Sequence, residues 1–331
     1  MGTINSMPAD APGRIAMTSP LMVVAIGGNA LIKDKQHQSV PDQMAALEET
    51  SHHLAALVED GWRMVIGHGN GPQVGFILRR SELAAHELHE VPLDVCGADS
   101  QGAIGYELQQ ALGHDFARLG LDRQAVTVVT QVQVDLADPA FAAPSKPIGS
   151  FLDDETAARR QAQGATIVED AGRGKRVVVA SPKPTLIVEL PAVRTLAAAG
   201  FVVITVGGGG IPVANDAQGN LHGVAAVIDK DFASSLLASE LGADLFVIAT
   251  AVDRVALDFG KPTQRWLDRM TLVEAKRYLA EGSHFAAGSM APKIEACIWY
   301  LERGGREAVI TDPPHLREAV RGTAGTHIVL E

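Results

Sequence analysis

The sequence predicts an α/β protein, a three-layer αβα sandwich around an open, mainly parallel sheet. Short β-branched runs that end in glycine or polar residues alternate with segments of helical periodicity. This alternation is typical of parallel strands that are covered by helices on both faces. The chain has 331 residues, of which 47% are hydrophobic, so it is long enough for about two domains with packed cores.

Six apolar runs are the predicted strands, because each is rich in β-branched residues and is bounded by turn signals. In chain order they are Leu21–Ile26, Arg63–Ile66, Ala125–Val134, Phe201–Val206, Leu245–Ala249 and Ala308–Thr311. Since both faces of a parallel sheet are covered, we expect these strands to be buried throughout.

The segments between the strands have the apolar spacing of amphipathic helices. The first helix is predicted over Asp42–Glu59 and stops at Gly61. Another is predicted over Asp231–Leu241, with Asp231 as its N-cap and Gly242 as its C-terminal stop. The remaining predicted helices are Gly102–Leu112, Leu186–Ala199 and Met290–Leu301.

A proline- and glycine-rich region from Pro139 to Pro184 interrupts the alternation. A stretch this long within an α/β domain predicts an inserted subdomain or lid, and a disordered linker is the alternative. The strand-like segments Ala165–Val168 and Lys175–Ala180 favour a small hairpin unit. The predicted organisation is a flexible N-terminal extension (1–20), an N-terminal lobe (21–222) with a protruding lid (138–184), and a C-terminal lobe (223–331).

Composition excludes several classes of protein. The formal net charge of −11 argues against nucleic-acid binding, which usually needs a basic surface. We expect no membrane span, because no run of 18 apolar residues occurs, and no secretion signal in the first 20 residues. Cys96 and Cys297 form no CxxC pair, so we expect two buried thiols in a reducing cytoplasm rather than a disulfide or zinc site.

Three predicted strands run into glycine clusters, at Gly27–Asn29, Gly67–Gly71 and Gly207–Gly210. Glycines at the carboxyl ends of strands let backbone N–H groups approach an anion, and a following helix adds partial positive charge. Each cluster alone is also compatible with a simple turn. Together they predict a phosphate or carboxylate site, although no Walker motif occurs and Pro72 breaks the dinucleotide pattern.

Three lysines lie where they could face an anion. Lys230, between two aspartates at the start of a predicted helix, is either aimed at a transferring phosphate or part of a solvated triplet. Lys293, at a predicted helix N-terminus, is unfavourable with the helix dipole, which suggests a bound anion. Lys146 lies in the stiff segment Pro144–Gly149, and an exposed surface lysine is the alternative there.

The histidines give a weaker signal. His52 and His53 have no third metal ligand at a suitable spacing, so we expect solvated or packing roles for them. His68 lies within the second glycine cluster, where an acid–base role and a backbone role are both open. No G-x-S-x-G motif occurs, which disfavours serine hydrolysis.

With these residues the chain resembles the carbamate kinases of the amino acid kinase superfamily. The resemblance extends from about residue 21 to the end of the chain and rests on segments that follow the family order. They are VAIGGNA (24–30), HGNGPQVG (68–75), QGAIGY (101–106), KPIG (146–149), EDAGRG (169–174), SPKP (181–184), GGGGIPV (207–213), AVIDKDFA (226–233) and HFAAGSMAPKIEA (284–296).

The resemblance implies reversible phosphoryl transfer between ATP and carbamate, giving ADP and carbamoyl phosphate, with Mg²⁺ carried on the nucleotide phosphates. It also implies use of carbamoyl phosphate to make ATP, as in arginine metabolism, and a cytoplasmic homodimer. Our own hypothesis for the dimer interface is helix Gln101–Leu112 with its neighbours. The N-terminal lobe would bind carbamate or carbamoyl phosphate and the C-terminal lobe the nucleotide. The alternatives are another phosphotransferase of the superfamily, or a non-catalytic ligand-binding protein of the same fold.

The matching motifs assign the site residues by resemblance. The implied catalytic residues are Lys146, Lys230, Lys293 and Asp231, with Asp231 orienting the lysines. The implied substrate-binding residues are Gly27, Gly28, Asn29, Gly69, Asn70 and Gly71. The implied nucleotide-binding residues are Gly208, Gly209, Gly210, Thr250, Asp253, Arg254, Ser289 and Met290. One departure is Arg254, where carbamate kinases commonly have tyrosine.

Overall fold

A computed structural model describes residues 19–28, 31–32, 36–169, 174–286 and 288–331. The strands are β1 (Leu21–Ile26), β2 (Arg63–His68), β3 (Ala125–Thr127), β4 (Gln131–Val134), β5 (Lys146–Leu152), β6 (Thr166–Glu169), β7 (Lys175–Val179), β8 (Pro184–Ile187), β9 (Val202–Ile204), β10 (Ile211–Asn215), β11 (Leu221–Gly223), β12 (Leu245–Ala249), β13 (Val255–Leu257), β14 (Arg265–Leu267), β15 (Arg269–Thr271), β16 (Glu307–Thr311) and β17 (Thr326–Val329). The helices are α1 (Val40–Glu59), α2 (Gly71–Ala84), α3 (Leu93–Leu119), α4 (Pro139–Ala142), α5 (Asp154–Ala162), α6 (Leu190–Ala198), α7 (Lys230–Leu241), α8 (Leu272–Glu281), α9 (Met290–Glu302) and α10 (Leu316–Val320).

The main sheet has eight strands in the order β15-β17-β16-β12-β1-β2-β9-β3, and its pairs are parallel except for β16 with β17. The central strand β1 is buried at every position, which requires apolar residues on both of its faces. Met22 and Val24 point into a core shared with α1 and α3, whereas Val23 and Ala25 point into a core shared with α7 and α9. The predicted three-layer αβα sandwich is therefore confirmed.

Most of the predicted elements are confirmed, but several boundaries are wrong. The predicted helix Gly102–Leu112 is the middle of the much longer α3, which ends at the left-handed C-cap Gly120. The predicted strand Ala125–Val134 is two strands, because β3 pairs with β9 in the main sheet and β4 pairs with β10 in a second sheet. The predicted helix Leu186–Ala199 begins late. Its first residues belong to β8, which pairs with β4, and α6 starts at Leu190 with proline in its first turn.

Helix α7 begins one residue earlier than predicted, and its N-cap is Asp229 rather than Asp231. The Asp229 side chain accepts a hydrogen bond from the Asp231 backbone N–H at 2.9 Å. Asp231 itself lies in the first turn and is 2% exposed. Because Asp229 caps the helix, the Asp231 carboxylate is available for contacts inside the protein.

The inserted region folds as a small unit of its own, and its predicted role as a lid over 138–184 stays a prediction. Strands β5, β7 and β6 form a small antiparallel sheet, in which β6 and β7 are the expected hairpin, and α5 packs on it. Arg160 of α5 contacts Glu82 of α2 at 3.1 Å, so the lid is joined to the N-terminal half by an ion pair. Residues 170–173 of the EDAGRG segment lie outside the described residues.

The predicted lobes share one continuous sheet, because β1 of the first lobe pairs along its length with β12 of the second. A second sheet, β11-β10-β4-β8, extends the first lobe, and β11 ends at Gly223, close to the predicted boundary. The division into lobes stays a prediction, as does the extension 1–20, of which residues 1–18 lie outside the described part. No helix in the described ranges is both long and apolar enough to cross a bilayer.

Candidate active site

A cavity of about 660 Å³ opens at the carboxyl ends of the central strands, the position where ligands bind in open α/β sheets. The loops after β1, β2 and β12 supply Gly27–Gly28, Gly69–Gly71 and Thr250–Val252, and the loop after β16 supplies Asp312–Pro314. The predicted site is thus assembled from segments that are far apart in the sequence.

Close backbone packing explains why glycine occurs in the third cluster. A Cβ on Gly207 would lie 2.4 Å from Nε2 of His68, and one on Gly208 would lie 2.0 Å from Nδ2 of Asn70. Gly208 also has a φ of +67°, which glycine adopts without strain. The turn Gly207–Gly210 is therefore seated directly against the second glycine cluster.

Three helices begin at the cavity, so their positive ends face it. Helix α2 starts at Gly71 and α9 at Met290, and neither has a side-chain hydrogen bond at its N-cap. Helix α7 starts at Lys230 and is capped by Asp229. Uncapped first-turn N–H groups are suited to bind phosphate or carboxylate oxygens.

A buried carboxylate brings two of the predicted lysines together. The Lys293 Nζ lies 2.9 Å from Oδ2 of Asp231, and the Lys230 ammonium contacts Oδ1 of the same carboxylate. Burial lowers the pKa of Lys230, and the charge of Asp231 opposes this effect. Burial raises the pKa of Asp231, but the two ammonium groups outweigh it and bring the pKa to about 2. The aspartate is therefore ionised at neutral pH.

Lys146 reaches the same cavity from the lid. Its Nζ lies 3.0 Å from Oδ2 of Asp229, and its side chain is 38% exposed, whereas that of Lys230 is 12% exposed. The N-cap of α7 thus also holds the lysine of β5. All three predicted lysines converge on one cavity, two from the C-terminal half and one from the lid.

His68 is buried beside this cluster and is a neutral group. Burial lowers its pKa to about 4, and the nearby Lys230 acts in the same direction. Its Nδ1 lies 3.0 Å from the carbonyl oxygen of Gly69, so Nδ1 carries the proton and donates to that oxygen. This geometry favours a backbone role for His68. His52 contacts Asp115 at 2.5 Å and lies outside the cavity lining.

The structure brings most of the predicted site residues to the cavity lining. They are Gly27, Gly28, Gly69, Asn70, Gly71, Lys146, Gly208, Lys230, Asp231, Thr250, Ser289, Met290 and Lys293. Asn29 lies outside the described residues, and its predicted contact is not described.

Four predicted residues lie off the cavity lining. Gly209 packs against the Ile228 carbonyl and Gly210 against Val132, so both shape the turn from behind. The Arg254 guanidinium contacts Asp268 at 2.9 Å and Asp253 at 3.2 Å. Asp253 and Arg254 are engaged in these ion pairs and are not part of the cavity lining. A nucleotide contact by either residue stays a prediction.

Sequence reasoning missed three parts of the lining. Asp229 was seen only as a flank of Lys230, yet it caps α7 and holds Lys146. Asp312–Pro314 follows β16, and a polar residue with two prolines directly after a buried strand is a signal that a sheet-edge argument could have used. Residues Ala46, Glu49 and Thr50 of α1 complete the wall and had no signal of their own.

The described residues offer neither a metal-binding cluster nor a reactive thiol. Among the described residues, no group of three or more His, Cys, Asp or Glu side chains could hold a metal ion. Cys96 and Cys297 are both free and buried, as predicted. Burial raises the pKa of the Cys96 thiol to about 11 and raises that of Cys297 further, so neither is a reactive thiolate.

Comparisons with known proteins agree with this architecture. The model of the amino acid kinase family matches residues 20–312. The carbamate kinase-like protein YahI of Escherichia coli is 50% identical, over 93% of this chain and 98% of its own length. The carbamate kinase of Thermococcus kodakarensis is 45% identical over 94% and 99%. A structure of the Giardia lamblia carbamate kinase bound to AMP-PNP superposes with a TM-score of 0.90 and 39% identity, over 95% of this chain and 99% of that one.

Proposed function

The chain belongs to the amino acid kinase family and is a full-length relative of its carbamate kinases, and from this membership we propose that it is itself a carbamate kinase. It would transfer a phosphoryl group reversibly between ATP and carbamate and would form ATP from carbamoyl phosphate and ADP. The observation that carries the proposal is the convergence of Lys146, Lys230 and Lys293 on one glycine-lined cavity.

The geometry suits in-line transfer between two anions. Phosphoryl transfer needs little covalent help, but it needs alignment and positive charge around the equatorial oxygens. Gly27–Gly28, Gly69–Gly71 and the start of α2 would hold the carbamoyl phosphate end. Thr250, Ser289 and Met290 also line the cavity, and in this proposal they would bind the nucleotide.

Each lysine then has a distinct part in this proposal. Lys230 and Lys293 are distant in sequence but are held together by the Asp231 carboxylate, so their charges need no rearrangement before reaction. Lys146 would exchange Asp229 for the transferring phosphoryl group when substrate enters. A compact ammonium suits this task, and three of only nine lysines in an arginine-rich chain lie here.

Mg²⁺ would enter as part of the nucleotide. The ion keeps several waters and usually binds through substrate phosphates with one or two carboxylates, which fits a cavity wall that offers Asp229 and Asp312 but no preformed metal cluster among the described residues. Bound Mg²⁺ neutralises charge on the phosphates. We expect no ATP formation when it is chelated, and full recovery when it is returned.

The proposal is tested by ATP formation from ADP and carbamoyl phosphate in a luciferase-coupled assay with the purified protein. Acetyl phosphate and N-acetylglutamyl phosphate serve as alternative phosphoryl donors. They are included because a relative, YahI, is named only carbamate kinase-like, so the identity of the donor is tested directly. Turnover with carbamoyl phosphate alone is expected. ATP formation with another donor only would support a different phosphotransferase, and none with any donor would support a non-catalytic protein.

A cytoplasmic homodimer belongs to the same proposal. Val95 and Tyr106 on α3, Val129 after β3 and Leu221 on β11 are large apolar residues with exposed side chains, and α3 contains the predicted interface helix Gln101–Leu112. Light scattering should give about twice the 34.8 kDa chain mass, and Tyr106→Glu should shift it towards the monomer. A monomeric wild type at micromolar concentration would contradict the dimer. The buried free thiols fit a reducing compartment.

A further inference from the structure

The segment QGAIGY (101–106) contributes no residue to the cavity lining, yet its first residue reaches the glycine-rich turn from behind. Gln101 lies on α3 and is 2% exposed. Its Nε2 donates to the carbonyl oxygens of Gly207 at 3.0 Å and of Thr130 at 3.2 Å. Its Oε1 accepts from the Thr130 backbone N–H at 2.7 Å. One side-chain amide thus joins α3, the β3–β4 connection and the turn.

The Thr130 hydroxyl extends this connection by one residue. Its Oγ1 donates to the Val128 carbonyl at 2.6 Å and accepts from the Val206 backbone N–H at 3.2 Å. It also lies 2.6 Å from Oγ1 of Thr205, whose hydroxyl is then the donor. With one hydrogen bond donated and two accepted, the hydroxyl is fully satisfied, and it is completely buried.

The backbone held in this way is strained. Val206 has a φ of +43°, a conformation that is costly for a β-branched residue. Such conformations persist only where surrounding contacts over-determine them and are concentrated at functional sites. Thr130 and Gln101 fix Val206 and Gly207, the two consecutive residues at the N-terminal end of the turn, and Gly208 of the same turn lines the cavity.

We propose that Gln101 and Thr130 form a buried clamp that positions the turn Gly207–Gly210 for phosphoryl transfer. The inference rests on the proposed function for its effect on rate, but the clamp is defined by contacts alone. Both residues are positioning residues, because they act through the turn and do not line the cavity. Since an error of about 1 Å in a catalytic group can cost about 100-fold in rate, loss of the clamp should lower kcat.

The test uses Thr130→Val, which keeps the shape but removes the hydroxyl, with Thr130→Ser as the conservative rescue. Gln101→Leu removes the amide at nearly constant size. Asp115→Asn is the matched control. It replaces another buried polar group of α3, the carboxylate that accepts a 2.6 Å hydrogen bond from Ser51, by a neutral amide about 21 Å along the helix from Gln101 at 1.5 Å per residue.

Two readouts are taken on the full chain, hydrogen exchange of the amides in 205–210 and the kinetics of ATP formation. Thr130→Val and Gln101→Leu should speed exchange in 205–210 about tenfold or more and lower kcat about 10- to 100-fold, with the KM for ADP within about threefold. Thr130→Ser and Asp115→Asn should match the wild type in both, even if their melting temperatures fall.

The two readouts separate the clamp from the proposed reaction. Unchanged exchange in Thr130→Val and Gln101→Leu would overturn the clamp, whatever the activity. Faster exchange with unchanged kcat would overturn its positioning role. A wild type that forms no ATP would contradict the proposed function instead, and the exchange measurement would still decide whether Gln101 and Thr130 hold the turn.

Discussion

The lysines of the site are held in two different ways. Lys230 and Lys293 share a carboxylate that is 3% exposed at its side chain, deep between α7 and α9. Lys146 pairs with the more accessible Asp229 and is itself 38% exposed. Charges that are buried and mutually fixed act at low effective dielectric without reorganisation, whereas exposed pairs are screened and exchange partners easily. The first arrangement is preorganised and the second is suited to movement.

The largest expected effect lies on the buried side of this comparison. Lys230→Ala should lower kcat for ATP formation by at least about 100-fold, as is typical for loss of a preorganised electrostatic donor. Lys276→Ala is the control, because Lys276 makes an exposed pair with Glu302 on the same half of the protein. A near-normal rate in Lys230→Ala, measured by the coupled assay, would remove Lys230 from the mechanism.

The buried side should also be the pH-sensitive one. Burial holds the pKa of His68 at about 4, so between pH 6.5 and 4 the unfolded chain binds a proton at this residue that the folded chain does not. The contribution of this residue to the free energy of unfolding is therefore at its maximum above about pH 6.5 and falls as the pH decreases. Over that range the free energy of unfolding should drop by about 3 kcal/mol more in the wild type than in His68→Asn.

Urea denaturation at several pH values measures this difference. Asparagine retains an N–H donor for the Gly69 carbonyl, so the variant isolates the titration from the hydrogen bond. Parallel pH curves for the two proteins would show that His68 does not titrate in this way.

A smaller effect is expected on the lid side. Lys146→Met should lower kcat about tenfold, less than the change at Lys230, because partial exposure screens its charge. Lys175→Met is the control. It removes an exposed ion pair between β7 of the same small sheet and Asp154 of α5, and it should leave kcat unchanged. An effect of Lys146→Met as large as that of Lys230→Ala would show that the lid closes fully over the reacting groups.

The smallest expected effect concerns the attachment of the lid. Arg160→Ala removes the contacts with Glu82 at 3.1 Å and Glu90 at 3.5 Å. Arg160 and Glu82 are only partly exposed, at 22% and 26% of their side chains, but solvent still reaches both ion pairs. Each should therefore contribute only about 1 kcal/mol, and the melting temperature should change little. A large loss of stability in calorimetry would mean that the lid is rigidly fixed rather than loosely joined.

The same contrast explains what the sequence could and could not predict. β1 and β12 were predicted at their observed bounds, because a run buried on both faces is visible as a continuous apolar segment. The three lysines stood out because each lies beside glycines, prolines or carboxylates. The Lys146–Asp229 pair joins residues 83 apart, and its partners could not be chosen without knowing where the lid folds back.

The order of the strands in the sheet is the other feature that local sequence patterns do not reveal. Asp312–Pro314 lines the cavity only because β16 is the neighbour of β12 in the sheet. The sequence of Ala125–Val134 predicts one strand, because its pairing with two different sheets has no local signature. Arg254 shows the opposite error. It follows cavity residue Val252 closely in sequence, but Asp268, 14 residues later, turns its side chain away.

The most direct test of the central claim is phosphorus NMR of one reaction that contains ADP, Mg²⁺, carbamoyl phosphate and the wild-type protein. If the three lysines align the two anions for direct transfer, each carbamoyl phosphate lost should appear as one γ-phosphate of ATP, and Lys230→Ala should slow both changes together. Phosphorus that appears as inorganic phosphate at the rate of a protein-free control, with no ATP, would contradict the account.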